Sequence, residues 1–286
     1  MKPQTVKTSF KWNEGRRIAD DKDIAYILPS DQGEVDRLKL NHEMWKIVLG
    51  GLYKSDIHDK LEKGIHVLDV GCGPGWWTRD MARLYPRSRF IGVDMADVFP
   101  TTNIPPNVKF RIMNAGSTFD FDDASFDFVF QRFLVMGLSV EQYVRSVQEM
   151  KRVLKPGGAI EIMELVNDYK NAGPAFSQIA SWIDQAMTKR RLDSFIADKI
   201  SGFLADADFI DIKDIDYDIP LGIWGGKPGE MFLSIQGLAL NAVKPMVTKL
   251  TSATADEYDA VVKQAFKEAE TNQVSTRFRL IYAKKE

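Results

Sequence analysis

The chain has 286 residues, of which 44% are hydrophobic and 27% charged, with a formal net charge of −2 and one cysteine. That composition excludes a disordered tract or fibrous repeat, and the length suits one sizeable core with decorations. A lone cysteine excludes an internal disulfide, and near-neutrality without a Lys/Arg cluster argues against a nucleic-acid binder. No run reaches the about 18 uninterrupted apolar residues that span a bilayer, and residues 1–17 lack the apolar centre of a signal peptide. The expectation is a cytoplasmic protein without a membrane partner, with the nucleus and a homodimer left open.

Residues up to about Gly33 read as a loosely ordered arm carrying one apolar patch, Ile24–Leu28. Leu38, Met44, Trp45, Val48 and Leu49 then recur at helical spacing over 34–49 and stop at Gly50-Gly51, and a short second helix includes 58–63. From residue 65 the period changes. Ile65–Val70 is an apolar strand entering a glycine loop, and Trp77, Met81 and Leu84 mark the helix after it. Further strands are expected at 90–94, 108–113 and 126–130. An amphipathic helix over 140–154 is ended by Pro156-Gly157-Gly158, and a fifth strand follows at 159–165.

Strands that alternate with helices predict an α/β fold, a mostly parallel sheet covered on both faces. Beyond it, 172–206 reads as helical, 209–219 as extended, 229–247 and 255–270 as helical, and 274–283 as a last strand. Ser275, Arg277 and Arg279 alternate along that strand, which suggests a half-exposed antiparallel edge. The division is an arm with cap helices over 1–64 and a Rossmann-like domain over 65–286, with helical insertions at about 172–206 and 229–270 that form a lid.

The loop reads Asp69-Val70-Gly71-Cys72-Gly73-Pro74-Gly75. Glycines in a strand-to-helix turn let a ligand approach the backbone. A dinucleotide fingerprint needs its third glycine at position 76, which is Trp76, so a nicotinamide oxidoreductase fits poorly. Asp69 at the strand end favours a cationic ligand over a pyrophosphate, and S-adenosylmethionine is such a ligand. Asp69 is assigned to the methionine part of the cofactor, Asp94 to the ribose hydroxyls and Met95 to the adenine face. Asn114-Ala115 is assigned to the adenine edge, and Gln131 and Arg132 to the neighbourhood of the methyl group.

Trp76 and Trp77 can both pack the helix on the sheet, with Trp77 favoured as the core residue and Trp76 turned to the pocket. His66 and His58 read as structural and solvated, and Cys72 as a small loop residue that is neither nucleophile nor metal ligand. No Cys/His spacing suggests a metal.

Tyr26-Ile27-Leu28-Pro29-Ser30-Asp31, Glu34, Arg37-Leu38 and His42, followed by VLDVGCGPGWW, PPNVKF, SFDFVFQRF and RVLKPGG, resemble the class I methyltransferases, in particular the fungal LaeA-like (Umta-type) family. The resemblance implies a seven-stranded sheet with an antiparallel last strand, S-adenosylmethionine as methyl donor, and a role in secondary metabolism. Tyr26, Gly71, Cys72, Gly73, Gly75 and Trp77 complete the expected cofactor-binding set. Many relatives carry a histidine where this chain has Phe130, so an acid/base role does not transfer there.

Methyl transfer from a sulfonium needs alignment more than proton chemistry. His42 or Glu164 is the candidate base if the acceptor is a hydroxyl. Trp182, Met187, Phe195, Trp224, Met231 and Phe232 in the lid segments suggest a small hydrophobic acceptor. The alternative is a cofactor-binding regulator that acts through protein partners.

Overall fold

The computed structural model describes the backbone of Phe10–Asn13 and Arg16–Ala19, and residues 31–286 in full. Those first two segments are strands β1 and β2, an antiparallel hairpin inside the region expected to be an irregular arm. Ile24–Leu28 lies outside the described residues.

Asp31 caps α1 (Gln32–Leu49) by accepting the Glu34 N–H at 3.1 Å, and Gly50 ends it at φ +61°. After α2 (His58–Lys63) come β3 (His66–Val70), α3 (Trp76–Leu84), β4 (Arg89–Asp94), β5 (Val108–Ile112), β6 (Phe126–Arg132) and α4 (Val140–Val153). The rest comprises β7 (Leu154–Lys170), α5 (Pro174–Lys189), α6 (Ile200–Asp206), β8 (Phe209–Pro220), α7 (Gly226–Leu250), α8 (Ala255–Thr271) and β9 (Ser275–Lys285). The stretch 172–206, expected to be helical, is interrupted after Lys189 and resumes with a 3-10 turn at Ile196–Lys199. The 154–158 stretch, expected to end a helix, instead opens β7 with an irregularity between the pairs Phe126/Leu154 and Phe128/Ala159.

The seven-stranded sheet runs β5-β4-β3-β6-β7-β9-β8, parallel from β5 to β7, with β9 antiparallel to both its neighbours. The last strand is therefore antiparallel as expected, but it is no edge: it is inserted between β7 and β8. Its polar alternation has a different cause. Arg277 and Arg279 face Asp214 and Asp216 of β8 and Asp198, at 2.8–3.5 Å, so the charges form a ladder across strands.

Side chains alternate faces along each strand, and the two faces bury separate cores. Val67, Phe90, Phe128 and Phe130 pack under α2 and α3, whereas Leu68, Val70, Val129, Ile160 and Ile162 pack toward α4 and the C-terminal helices. Trp77 anchors the first core. It stacks on Phe130 at 3.9 Å and 2°, and its indole N–H donates to the Leu52 carbonyl at 2.7 Å. Phe130 thus holds an aromatic packing position.

Buried carboxylates hold the connecting loops. Glu161 accepts from the Lys54 and Ser55 N–H groups and the Ser55 hydroxyl, fixing the segment between α1 and α2. Glu164 accepts from the Leu134 N–H (2.8 Å), the Val135 N–H (3.0 Å) and the Tyr143 hydroxyl (2.9 Å). It thereby clamps the turn after β6, where Phe133 has φ +62°, a strained conformation for a non-glycine residue.

Trp77→Ala is expected to lower the unfolding free energy by about 3–5 kcal/mol in urea titrations, and Trp77→Phe by less. A loss below about 1 kcal/mol for the alanine variant would refute the anchoring role. Burial pushes Glu164 up to about 7, above its range in the unfolded chain, against the pull of its three donors. The folded state therefore holds the proton more tightly, and stability is full below about pH 4.5 and declines as pH rises through 7. The decline is expected to reach about 3 kcal/mol at most and to be shallower in Glu164→Gln. Equal slopes in the two proteins, read from denaturation at pH 5 to 8, would remove Glu164 as its source.

Candidate cofactor site at the glycine bend

The strand order reverses at β3, which pairs with β4 on one side and β6 on the other, so a crevice opens beyond the carboxyl ends of these strands. The 71–75 bend lies there. Its Gly71 and Cys72 N–H groups both donate to the Val93 carbonyl, at 2.8 and 2.9 Å. Gly71, Gly73 and Gly75 all have φ between +52° and +70°. A Cβ at Gly71 would lie 2.6 Å from the Leu134 side chain, and one at Gly75 would lie 2.4 Å from Phe110, so both glycines are required by packing. Gly73 is different, because its nearest neighbour would be Leu38 at 3.7 Å. It faces a cavity lined also by Asn41, Asp94, Arg132, Phe133 and Leu134.

Asp94 receives the Gly73 N–H at one oxygen and the Ala96 N–H at the other, both at 2.8 Å, and the Met95 N–H as well, leaving acceptor capacity for one further donor. Burial raises its pKa, opposed by those N–H bonds. Asp69 lies beneath the bend, 3% exposed, accepting from the Thr78 hydroxyl at 2.5 Å, and burial pushes it up to about 7. Cys72 is held by burial well above its usual range, and its thiol points to the Gly73 carbonyl at 3.6 Å. Asn114 closes its own turn by accepting the Gly116 N–H at 2.8 Å, and it, Ala115 and Met95 are half-buried.

Arg132 brings a half-buried guanidinium into the same cavity, its pKa pushed down to about 10 by desolvation while the Asp69 and Asp80 charges raise it. One of its N–H groups meets His42 Nδ1 at 2.9 Å. A guanidinium only donates, so Nδ1 accepts and the ring proton sits on Nε2, which donates to Asp80 at 3.1 Å. Lys46 also reaches Asp80, at 3.0 Å. Burial lowers the His42 pKa, so the ring is neutral at neutral pH with both nitrogens engaged. In this geometry His42 orients Arg132 and has no lone pair free to take a proton. Glu164 likewise has its oxygens committed to the 133–135 turn.

Two further expectations are corrected. Trp77 is 2% exposed within the first core and has no access to the cavity, because helical spacing turns it to the sheet while Trp76 lines the cavity. Gln131 points to the opposite face of the sheet from Arg132, with its amide donating to the Tyr143 hydroxyl at 2.7 Å. Tyr26 lies outside the described residues. Leu38, Asn41, Phe133 and Leu134 were not among the expected site residues, since only folding of α1 over the bend brings the first two near it.

A carboxylate and a guanidinium within one cavity, beside a bend free of side chains, match a ligand with hydroxyl groups and a zwitterionic tail. The residues present therefore fit S-adenosylmethionine.

Residues 67–158 match the family described as a methyltransferase domain. The chain is similar to the secondary metabolism regulator LAE1 of Cochliobolus heterostrophus, with 29% identity over 79% of this chain and 76% of the relative. It is also similar to the methyltransferase pytC of Aspergillus terreus, with 27% identity over 77% of this chain and 68% of the relative. Among such relatives the chain spans from 38% to 76% of their length. Its fold is like that of Haemonchus contortus phosphoethanolamine N-methyltransferase 2 in complex with S-adenosyl-L-methionine, at a TM-score of 0.50 and 16% identity over 94% of this chain and 62% of that one. Residues 67–158 thus carry the pattern of a methyltransferase domain, and most of the chain is similar to LaeA-like relatives.

Proposed function

We propose that this chain methylates a small, largely apolar molecule seated between the turn after β6 and the lid helices α5 and α7. One observation carries the reading: the 133–136 turn borders two cavities at once. Phe133 and Leu134 line the cofactor cavity, whereas Val135 and Met136 line a second one with Leu165, Met187, Leu240 and Val243. That second cavity is about 50 Å³, room for one or two waters, so an acceptor enters only if the lid helices part. Its polar groups are few. Asn167 donates to the Ala180 carbonyl at 2.9 Å, and Gln236 donates to the Tyr169 hydroxyl at 2.8 Å.

The lid aromatics contribute less than their number suggests. Met187 lines the cavity, but Trp182, Met231 and Phe232 are core residues, and Phe195 and Trp224 are 42% and 37% exposed.

S-adenosylmethionine supplies a methyl group already activated by its sulfonium. Asp94 would hold the ribose hydroxyls, and Arg132, oriented by His42, would hold the carboxylate of the methionine part. Glu164 fixes the turn that borders both cavities, and the lid excludes water. With His42 and Glu164 occupied, the reaction proceeds by alignment of donor and acceptor. The likeness to a secondary metabolism regulator supports a second reading, in which the same site binds the cofactor and the chain acts through protein partners.

Calorimetry with S-adenosylhomocysteine and methylthioadenosine, which lacks the amino-acid tail, tests the assignment. Asp94→Ala is expected to weaken both ligands by about tenfold to a hundredfold, and Arg132→Met to weaken only S-adenosylhomocysteine, by a similar factor. Equal losses for both ligands in Arg132→Met would contradict its carboxylate role. Against a panel of apolar phenols and amines, Leu240→Trp is expected to reduce kcat/KM at least about tenfold with cofactor affinity unchanged, by filling the second cavity. Tight cofactor binding with no transfer to any of the panel would favour the regulatory reading.

A further inference from the structure

A separate groove of about 1030 Å³ runs along the outer side of α3, between α1 and the segment 98–107. Arg79 lines it. This side chain is 6% exposed, and its Nε is shut off from solvent without an acceptor. Its guanidinium lies 4.2 Å from the centroid of Trp76, whose indole N–H is also buried without an acceptor. Lys39 sits 5.3 Å from the same ring, and it too lines the groove.

The nearby carboxylates are used elsewhere. Asp36 accepts from Gln32 at 2.9 Å, and Asp80 is shared by His42, Lys46 and Arg83. Among the described residues, neither Arg79 nor Lys39 has a carboxylate within ion-pair distance, and Arg83 adds a third cation to the groove. Burial and the Arg83 charge both lower the Arg79 pKa, yet a guanidinium stays protonated. The Asp80 charge acts on Arg79 in the opposite sense, but that carboxylate is already shared by three other groups, so a buried, permanent cation with no carboxylate of its own is stabilised by an anion, its contact with one ring supplying only part of the compensation.

We propose that this groove is a second small-molecule site, which takes a carboxylate or phosphate group on Arg79 with Lys39 and Trp76 beside it. A single buried guanidinium in a chain of net charge −2 suits a small organic anion and not a nucleic-acid backbone. The groove shares Pro74 and Trp76 with the cofactor cavity but opens on the far side of α3, so the two ligands are separate occupants. The proposal does not depend on methyl transfer.

The test follows the Trp76 indole N–H signal of the intact protein by NMR, assigned with Trp76→Phe, during titration with benzoate and with inorganic phosphate against sodium chloride of equal ionic strength. Saturable shifts in the millimolar range are expected with at least one anion, and which of them binds more tightly distinguishes carboxylate from phosphate. Arg79→Met should weaken binding at least about tenfold, and Lys39→Met about threefold, while Arg132→Met leaves it unchanged. Should Arg79→Met fail to fold, Arg79→Lys keeps the charge but loses the planar fork, and its expected signature is weaker benzoate binding with phosphate largely retained. Shifts no larger than those with chloride would overturn the proposal. So would unaltered affinity in Arg79→Met, unaltered benzoate affinity in Arg79→Lys, or complete displacement of the anion by S-adenosylhomocysteine.

Discussion

The site depends on one interaction, the grip of the Glu164 carboxylate on the turn after β6. A parallel sheet delivers strand ends to a crevice, but it does not by itself fix the loops that leave them. Here a carboxylate within β7 takes two consecutive backbone N–H groups from the neighbouring loop and a tyrosine hydroxyl from α4. Phe133 can then occupy φ +62°, a conformation that costs about 1–3 kcal/mol and persists only when its surroundings over-determine it. The result is a fixed turn that lines a polar cavity with Phe133 and Leu134 and an apolar one with Val135 and Met136.

The same device recurs at the other strand ends. Asp94 ties the glycine bend to the loop after β4, and Glu161 ties the α1–α2 connection to β7. Glu161 and Glu164 are fully buried and Asp94 partly so, and all three are compensated chiefly by hydrogen-bond donors, so burial raises each pKa while the hydrogen bonds pull it back. Cations appear at the site as a chain. Arg132 reaches His42, His42 reaches Asp80, and Asp80 also takes Lys46, which joins β6, α1 and α3 across the crevice. Because a guanidinium cannot accept, the direction of every hydrogen bond in that chain is set by Arg132.

The parts of this arrangement legible in the sequence were those with a period or a local rule. The apolar runs at 65–70, 90–94 and 126–130 and the glycines at 71, 73 and 75 gave the fold class and the place of the bend. Three features carried no local signal. The position of β9 inside the sheet follows from pairing Arg277 and Arg279 with acids in another strand, whereas alternation alone reads as a solvent-facing edge. The engagement of His42 follows from residues 38 and 90 positions away, Asp80 and Arg132. Leu38 and Asn41 join the cavity only because α1 folds back over the bend. Gln131 and Trp77 were within reach of sequence reasoning. Two-residue periodicity puts Gln131 on the face opposite Arg132, and helical spacing puts Trp77 beneath Trp76.

The contrast between the adjacent tryptophans shows how one helix start serves two surfaces. Trp77 is spent inward, stacked on Phe130 and bonded to the Leu52 carbonyl, and this contact sets the height of α3 above the sheet. Trp76 is consequently turned outward, against Arg79 on the groove side and into the rim of the cofactor cavity. The glycine bend cannot shift without moving both, because Gly75 immediately precedes Trp76 and is itself pinned by Phe110. Stiffness at the bend is thus inherited from an aromatic core on the inner face. Any ligand that presses on Trp76 from the outer groove acts on the same short lever that positions the Gly73 N–H and, through it, Asp94.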